Sequence, residues 1–243
     1  MNETTKLLEA MRRMYRSFNS YEDEGEVKAT FKMGKEFRYQ HYFFSTFYKR
    51  PGRLILNFWF TEQREDYAIR IVSDNNEVYA FRSGSSIPAK KCDSLQGALS
   101  LIGTFCSLSS DGFAIAIPEM LDKKFKGVGD SAFFDEDCRL IENSPTKLHF
   151  HQSIHHSLIE KFSEAHILLS ANFLPEKVTL HGNLSRQTML AMIDKMKTAV
   201  PMTSQAYETT LEFLQDCESH LERAYSRVLH DHEFDESIFE VPH

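Results

Sequence analysis

Residues 4–18 place Leu7, Leu8, Met11, Met14, Tyr15 and Phe18 at offsets of 0, 1, 4, 7, 8 and 11, a single stripe on a helix of 3.6 residues per turn. The spacing predicts an amphipathic helix that docks on another layer. Lys6, Arg12, Arg13 and Arg16 occupy its other face, as a solvated face or as a membrane-docking one. The pattern then shortens. After "YEDEGE", an acidic turn by composition, strands are predicted at 25–33, 37–49, 53–61, 66–74 and 77–82, and their short connections require antiparallel neighbours. "RPGR" suits a tight turn in which Pro51 presets φ and Gly52 takes the positive value, and "SDNNE" serves the same purpose further on.

In "CDSLQGALSLIGTF", Asp93 or Ser94 caps a predicted helix over 94–103 that buries Leu95, Ala98, Leu99 and Ile102. A second short helix is predicted to begin at "IPEML", with Pro118 in its first turn, where a missing amide donor costs nothing. Strands resume with "CRLIEN", "TKLHFHQ", "AHILLSA" and "PEKVTLHG". Residues 185–218 return to a helical period, interrupted near Pro201, with Met189, Met192, Ile193 and Met196 before the break and Tyr207, Leu211, Leu214 and Leu221 after it. This predicts a helical hairpin. The tail regains strand-like composition, with Phe234, Ile238 and Phe239 as anchors. Helix, strands, helices, strands is the order of an α+β domain. The absence of repeats and long linkers favours one domain over residues 1–243.

"FYKRPGRLILNFWF", Phe47 to Phe60, breaks the usual alternation. Phe43 and Phe47 lie on one parity and Phe44 and Tyr48 on the other, while Leu54, Leu56, Phe58 and Phe60 alternate with Ile55 and Trp59. Both faces of two adjacent strands are therefore apolar. At roughly 25 cal/mol per Å2, leaving them in water would forfeit several kcal/mol, comparable to the whole stability of a domain. In the structural reading the N-terminal helix and the 94–103 helix fill one side and the 185–218 hairpin covers the other. The functional readings are an acyl-chain cavity between sheet and helices, or an exposed patch that binds another protein.

Composition narrows the classes. The chain has 243 residues, 42% hydrophobic and 26% charged, with 20 Phe and 9 Tyr against one Trp, the aromatic supply of a sheet-rich core. No apolar run approaches the ~18 residues of a membrane span. A net charge of −7 argues against nonspecific binding to nucleic acid or an anionic membrane. Cys92, Cys106, Cys138 and Cys217 show no zinc-finger spacing and read as inert thiols, with a Cys92–Cys106 bridge as the alternative in an exported protein. The first residues lack the layout of a secretory signal. The expectation is either a mature segment restarted at Met1 or a cytoplasmic protein.

Several of these segments resemble the LolA/LolB group of periplasmic lipoprotein carriers and their relatives. The resemblance rests on "YKRPGRLILNFWF", with its Arg50-Pro51 turn and following Arg53, on "IRIVSDNNEVYAF", with Tyr79 and Phe81 after a turn, and on "SLQGALSLIG" and "IPEML". It extends to "CRLIEN", "HILLSANFLPEKVTLHG" and "EFDESIFEVP". Asn76 stands where the group has a turn glycine, and residues 185–218 resemble an insertion. The resemblance implies a strongly curved antiparallel half-barrel whose concave face is plugged by helices and holds acyl chains. It also implies a periplasmic location, a lipid or lipidated protein as partner, and transient contact with a membrane or membrane protein.

The residues expected to line the cavity are Phe43, Phe47, Leu56, Phe58 and Tyr79, with Lys49, Arg50 and Arg53 meeting a headgroup or an acidic partner. No GxSxG, phosphate-binding glycine loop, GxGxxG or HExxH occurs, so the expected protein is not an enzyme and uses no cofactor. His149 and His151 share one strand face, and His230 and His232 are expected to do the same, so four imidazoles would converge if those strands paired. No acidic partner is fixed by spacing, and the reading is surface or hydrogen-bonded histidine with no metal. The alternative function is a protein-interaction module on the same fold without lipid.

Overall fold

The computed structural model describes residues 2–60, 69–74, 77–83, 87–95, 97–99, 113–125, 133–134, 137–153, 163–185 and 216–241. Eleven strands form one antiparallel sheet in the order β6-β5-β4-β3-β2-β1-β11-β10-β9-β8-β7. The first wing holds β2 (Glu36–Lys49), β3 (Arg53–Trp59), β4 (Ile69–Asp74), β5 (Glu77–Arg82) and β6 (Lys90–Cys92). The second holds β7 (Arg139–Asn143), β8 (Lys147–Ser153), β9 (Glu164–Ser170) and β10 (Pro175–Leu184). Between them lie β1 (Ser20–Met33) and β11 (Cys217–His230), paired over almost their whole length. The sheet is open, with β6 and β7 as its edges.

The helix α1 (Glu3–Ser17) is capped by Asn2, whose side-chain oxygen accepts from the Thr5 amide at 2.8 Å. It buries Leu8, Met11 and Tyr15 as the periodicity predicts. At its start Glu3 accepts from Asn143 on β7; at its end the Phe18 carbonyl accepts from Arg50 in the β2–β3 turn. On a flat sheet β2 and β7 would stand six strand intervals apart, roughly 29 Å, against roughly 22 Å for a helix of this length. Both wings therefore curl toward α1, and a single apolar core runs from Ile71 on β4 to Phe150 on β8.

The antiparallel half-barrel with helices against one face is as expected, with differences at four places. "YEDEGE" is not a turn but part of β1. Its residues alternate: Tyr21, Asp23 and Gly25 pair with the helix-side residues Tyr48, Thr46 and Phe44 of β2, while Glu22 and Glu24 on the other face meet Arg227. Second, the helix over "IPEML" begins earlier, so that α2 spans Phe113–Leu121 with Pro118 inside it. Third, the strand β11 starts at Cys217 and contains Leu221, both assigned by periodicity to the helical hairpin; residues 186–215 of that hairpin lie outside the described residues.

Fourth, the C-terminal tail packs on the outer face of β3 and β4, a contact not predicted; the hairpin expected on that face lies, at residues 186–215, outside the described residues. Ile55, Val72 and Phe239 form a second buried cluster, packed by Phe47, Phe81, Phe234, Ile238 and Val241. The tail ends in a 3-10 turn, Glu236–Phe239, begun by Asp235, whose side chain accepts from the Ser237 amide at 2.9 Å. Phe234 meets Phe47 edge-on at 6.1 Å and Phe239 at 5.9 Å. Within "FYKRPGRLILNFWF", Tyr48, Leu54, Leu56 and Phe58 thus belong to the core shared with α1, and Phe47 and Ile55 to the cluster built by residues 234–241. The turn itself is as predicted, with Gly52 at φ 62° and a cis Arg50-Pro51 bond. Ser94 supplies the predicted cap, its hydroxyl accepting from the Gly97 amide. Cys92 carries a free thiol, and Cys106 lies outside the described residues.

Candidate functional site

The layer beneath α1 is apolar across most of its width and interrupted near its centre by a polar knot. From β1 come Tyr21 and Asp23, from α1 Tyr15, from β2 Thr46, and from β11 Arg223 and Tyr225. Alternation puts the strand residues on one face. An irregularity in the β1–β11 register then matters: Gly25 pairs with Tyr225 but Glu24 pairs with Arg227, leaving Ser226 extra. Such a bulge re-aims side chains. Before it Arg223 and Tyr225 point into the helix-side layer; after it Arg227 points to the outer face and His230 to the inner. Glycine is required at residue 25, because a Cβ there would lie 2.0 Å from the Ala224 carbonyl oxygen and 2.8 Å from the Phe44 ring.

Arg223 is 2% exposed. Its Nε donates to the Tyr225 hydroxyl at 3.0 Å, and its guanidinium carbon lies 3.4 Å from the centre of the Phe44 ring, a cation–π contact strengthened by desolvation. Asp23 accepts from the Tyr21 hydroxyl at 2.8 Å and from Thr46. Burial pushes the Asp23 pKa up, against the opposing pull of Arg223 and of these hydrogen bonds. Burial, reinforced by neighbouring phenols and Asp23, also holds Tyr15 and Tyr21 well above the usual phenol value, so both remain donors. The Tyr15 hydroxyl donates to the Phe173 carbonyl at 3.1 Å.

The residues expected to line one cavity divide between the two faces. Leu56 and Phe58 lie in the helix-side core, each 1% exposed. Phe43, Phe47 and Tyr79 lie on the outer face: Phe43 stacks on Trp59 at 6.1 Å, Phe47 packs under the tail, and the Tyr79 hydroxyl donates to Glu77. Of the cations expected to meet a headgroup, Arg50 binds the Phe18, Arg16 and Leu121 carbonyls at 2.9, 2.6 and 3.2 Å, closing the C-terminal ends of α1 and α2 together. Arg53 pairs with Asp74 at 3.2 Å and lies over the Phe239 ring. Lys49 ends β2, half-buried.

The histidine expectation changes partners. His149 and His151 share the outer face as expected, but His230 stacks on Phe18 at 4.3 Å while His232 pairs with Glu22. These last two do not share a face, because the strand ends at His230 and the chain turns at Asp231, whose φ is 53°. The companions of His149 and His151 are His166 on β9, His181 on β10 and His220 on the adjacent β11. Sequence reasoning missed the knot because "YEDEGE" carries the composition of a turn. The signal that would have found it is the alternation Tyr21, Asp23, Gly25, Val27, Ala29 against Glu22, Glu24, Glu26, Lys28.

No protein family's sequence profile matches the chain, and neither does any curated protein. Among solved structures the chain is similar to a LolA superfamily protein, NE2245, from Nitrosomonas europaea, at 11% identity and a TM-score of 0.37, covering 99% of this chain and 98% of that one. It is similar to a DUF1329 family protein from Desulfovibrio piger at 9% identity and a TM-score of 0.39, covering 98% and 95%. A third similarity is to the Pseudomonas aeruginosa MucA/MucB complex, at 9% identity and a TM-score of 0.40, covering 99% of this chain and 62% of that one.

Proposed function

We propose that the protein binds, without converting, the acyl chains of a lipid or of a lipidated protein in the layer between the inner face of its sheet and the helices that cover it. The observation that carries this reading is the composition of that layer: a continuous apolar core from β4 to β8 containing a knot of buried Arg223, Asp23 and tyrosines. Ligand sites are typically apolar surfaces with a few convergent polar groups that fix orientation. Acyl chains match the first part and a polar headgroup or ester carbonyl the second. The sequence resemblance to lipoprotein carriers supports the same ligand class and a periplasmic location. Among the described residues, no helix is long and apolar enough to cross a membrane.

In this reading α1 and α2 are the cover. Arg50 fastens their C-terminal ends to the β2–β3 turn, so entry of a chain requires those three hydrogen bonds to yield or the helices to part from their N-terminal ends. Leu56 and Phe58 line the site, and Phe43, Phe47 and Tyr79 support it from behind. The test is native mass spectrometry of the full chain purified without detergent from membrane-containing lysate. A lipid-sized adduct is expected, together with saturable binding of a fluorescent long-chain fatty acid. A lysate-purified chain without adduct that also leaves the fatty acid unbound overturns the proposal.

A further inference from the structure

The outer face of the second wing carries chemistry that lipid binding does not use. In the β8–β9 pairing His151 stands directly opposite His166, and Glu164, two residues before His166, projects from the same face. His151, Glu164 and His166 each offer a ligand atom, all within 4.8 Å of one another. His149, also on this face, brings Nε2 to 3.3 Å from His166 Nδ1. That pair stands at hydrogen-bonding distance, while the ligand atoms that converge are those of His151, Glu164 and His166. On the next strand His181 stands opposite Glu164.

We propose that His151, Glu164 and His166 form a binding site for a divalent transition metal, with His149 hydrogen-bonded to His166 beside it. The donor set selects the metal. Imidazole nitrogens suit zinc, copper and nickel, whereas calcium and magnesium require oxygen ligands. Zinc takes two imidazoles and a carboxylate readily, and the fourth position goes to water. His151 and His166 are half-buried and Glu164 is exposed, so the ion enters from solvent without disturbing the core. The ligands come from two adjacent strands whose register is set by the sheet, which pre-organises their backbones.

The probe is Zn2+ alone, titrated calorimetrically into the full chain after chelator treatment, near neutral pH. One equivalent is expected to bind. Both H166A and the exposed-site variant E164Q should weaken it by at least about tenfold. H220A, on β11, should bind as the wild type does. Titration with Co2+ should give the intense visible bands of a four-coordinate centre. No saturable Zn2+ binding, wild-type affinity in E164Q and H166A, or an equal loss in H220A would each overturn the assignment. Far-UV circular dichroism of every variant separates ligand loss from misfolding, and E164Q, at an exposed position, keeps the test decisive if H166A does not fold.

Discussion

Asp23 is 1% exposed and accepts a hydrogen bond from Tyr21, yet burial outweighs its partners and its pKa is raised. A raised acid pKa means the folded state holds its proton more tightly than the unfolded chain does. The associated stability is therefore complete below the unfolded value, about 3.9 for Asp, and is lost as pH rises through the folded pKa. Asp23→Asn imitates the protonated acid and keeps an acceptor for Tyr21. The variant should unfold at higher urea than the wild type at neutral pH, and the difference should close as pH falls toward the ordinary carboxylate range. Urea titrations across that range measure it, and a difference independent of pH would show that Asp23 is not the group responsible. Arg223 works against this cost: it lowers the Asp23 pKa and rests on the rings of Phe44 and Tyr225.

At the scale of elements, the C-terminal tail carries more than its length implies. Phe239 is 2% exposed, shares a buried cluster with Ile55 and Val72, and supports the Arg53 guanidinium 4.4 Å from its ring centre. Phe239→Ala should destabilise the fold by about 3–5 kcal/mol, the usual range for removing a buried aromatic, read from the urea midpoint. The loss should appear without any change in the helix-side layer, because the second cluster is separated from the first by the thickness of the sheet. The tail's role was partly legible: Phe234, Ile238 and Phe239 stand out as apolar anchors in a charged segment. Their destination was not, since nothing local in "EFDESIFEVP" distinguishes packing on the back of β3 from packing elsewhere. For α1 the periodicity was sufficient, because the stripe that identifies the helix is also the face it buries.

In the molecule as a whole, β1 and β11 join the two wings, and they pair residues as distant as Tyr21 and His230. A chain ending at Asp216 would lack β11 and its polar contribution to the knot, leaving β1 and β10 with unpaired backbone edges in the middle of the sheet. It should fail to give the near-ultraviolet circular dichroism of packed aromatics, whereas a dichroic spectrum like that of the full chain would mean that the wings fold independently. Such long-range pairing also explains which features could be read beforehand. Period-2 and period-3.6 patterns are local, and they suffice for strands β2, β3, β5 and β7 to β10, for α1, for the Arg50-Pro51-Gly52 turn and for the α+β class. They also reveal that both faces of β2 and β3 must be covered. What covers each face, the placement of Arg223 beside Asp23 on another strand, and the row formed by His149, His151, His166, His181 and His220 were decided by tertiary structure alone. Strand order and register depend on backbone hydrogen bonds and burial between segments far apart in the chain, and backbone groups carry no residue-specific mark of their eventual partners.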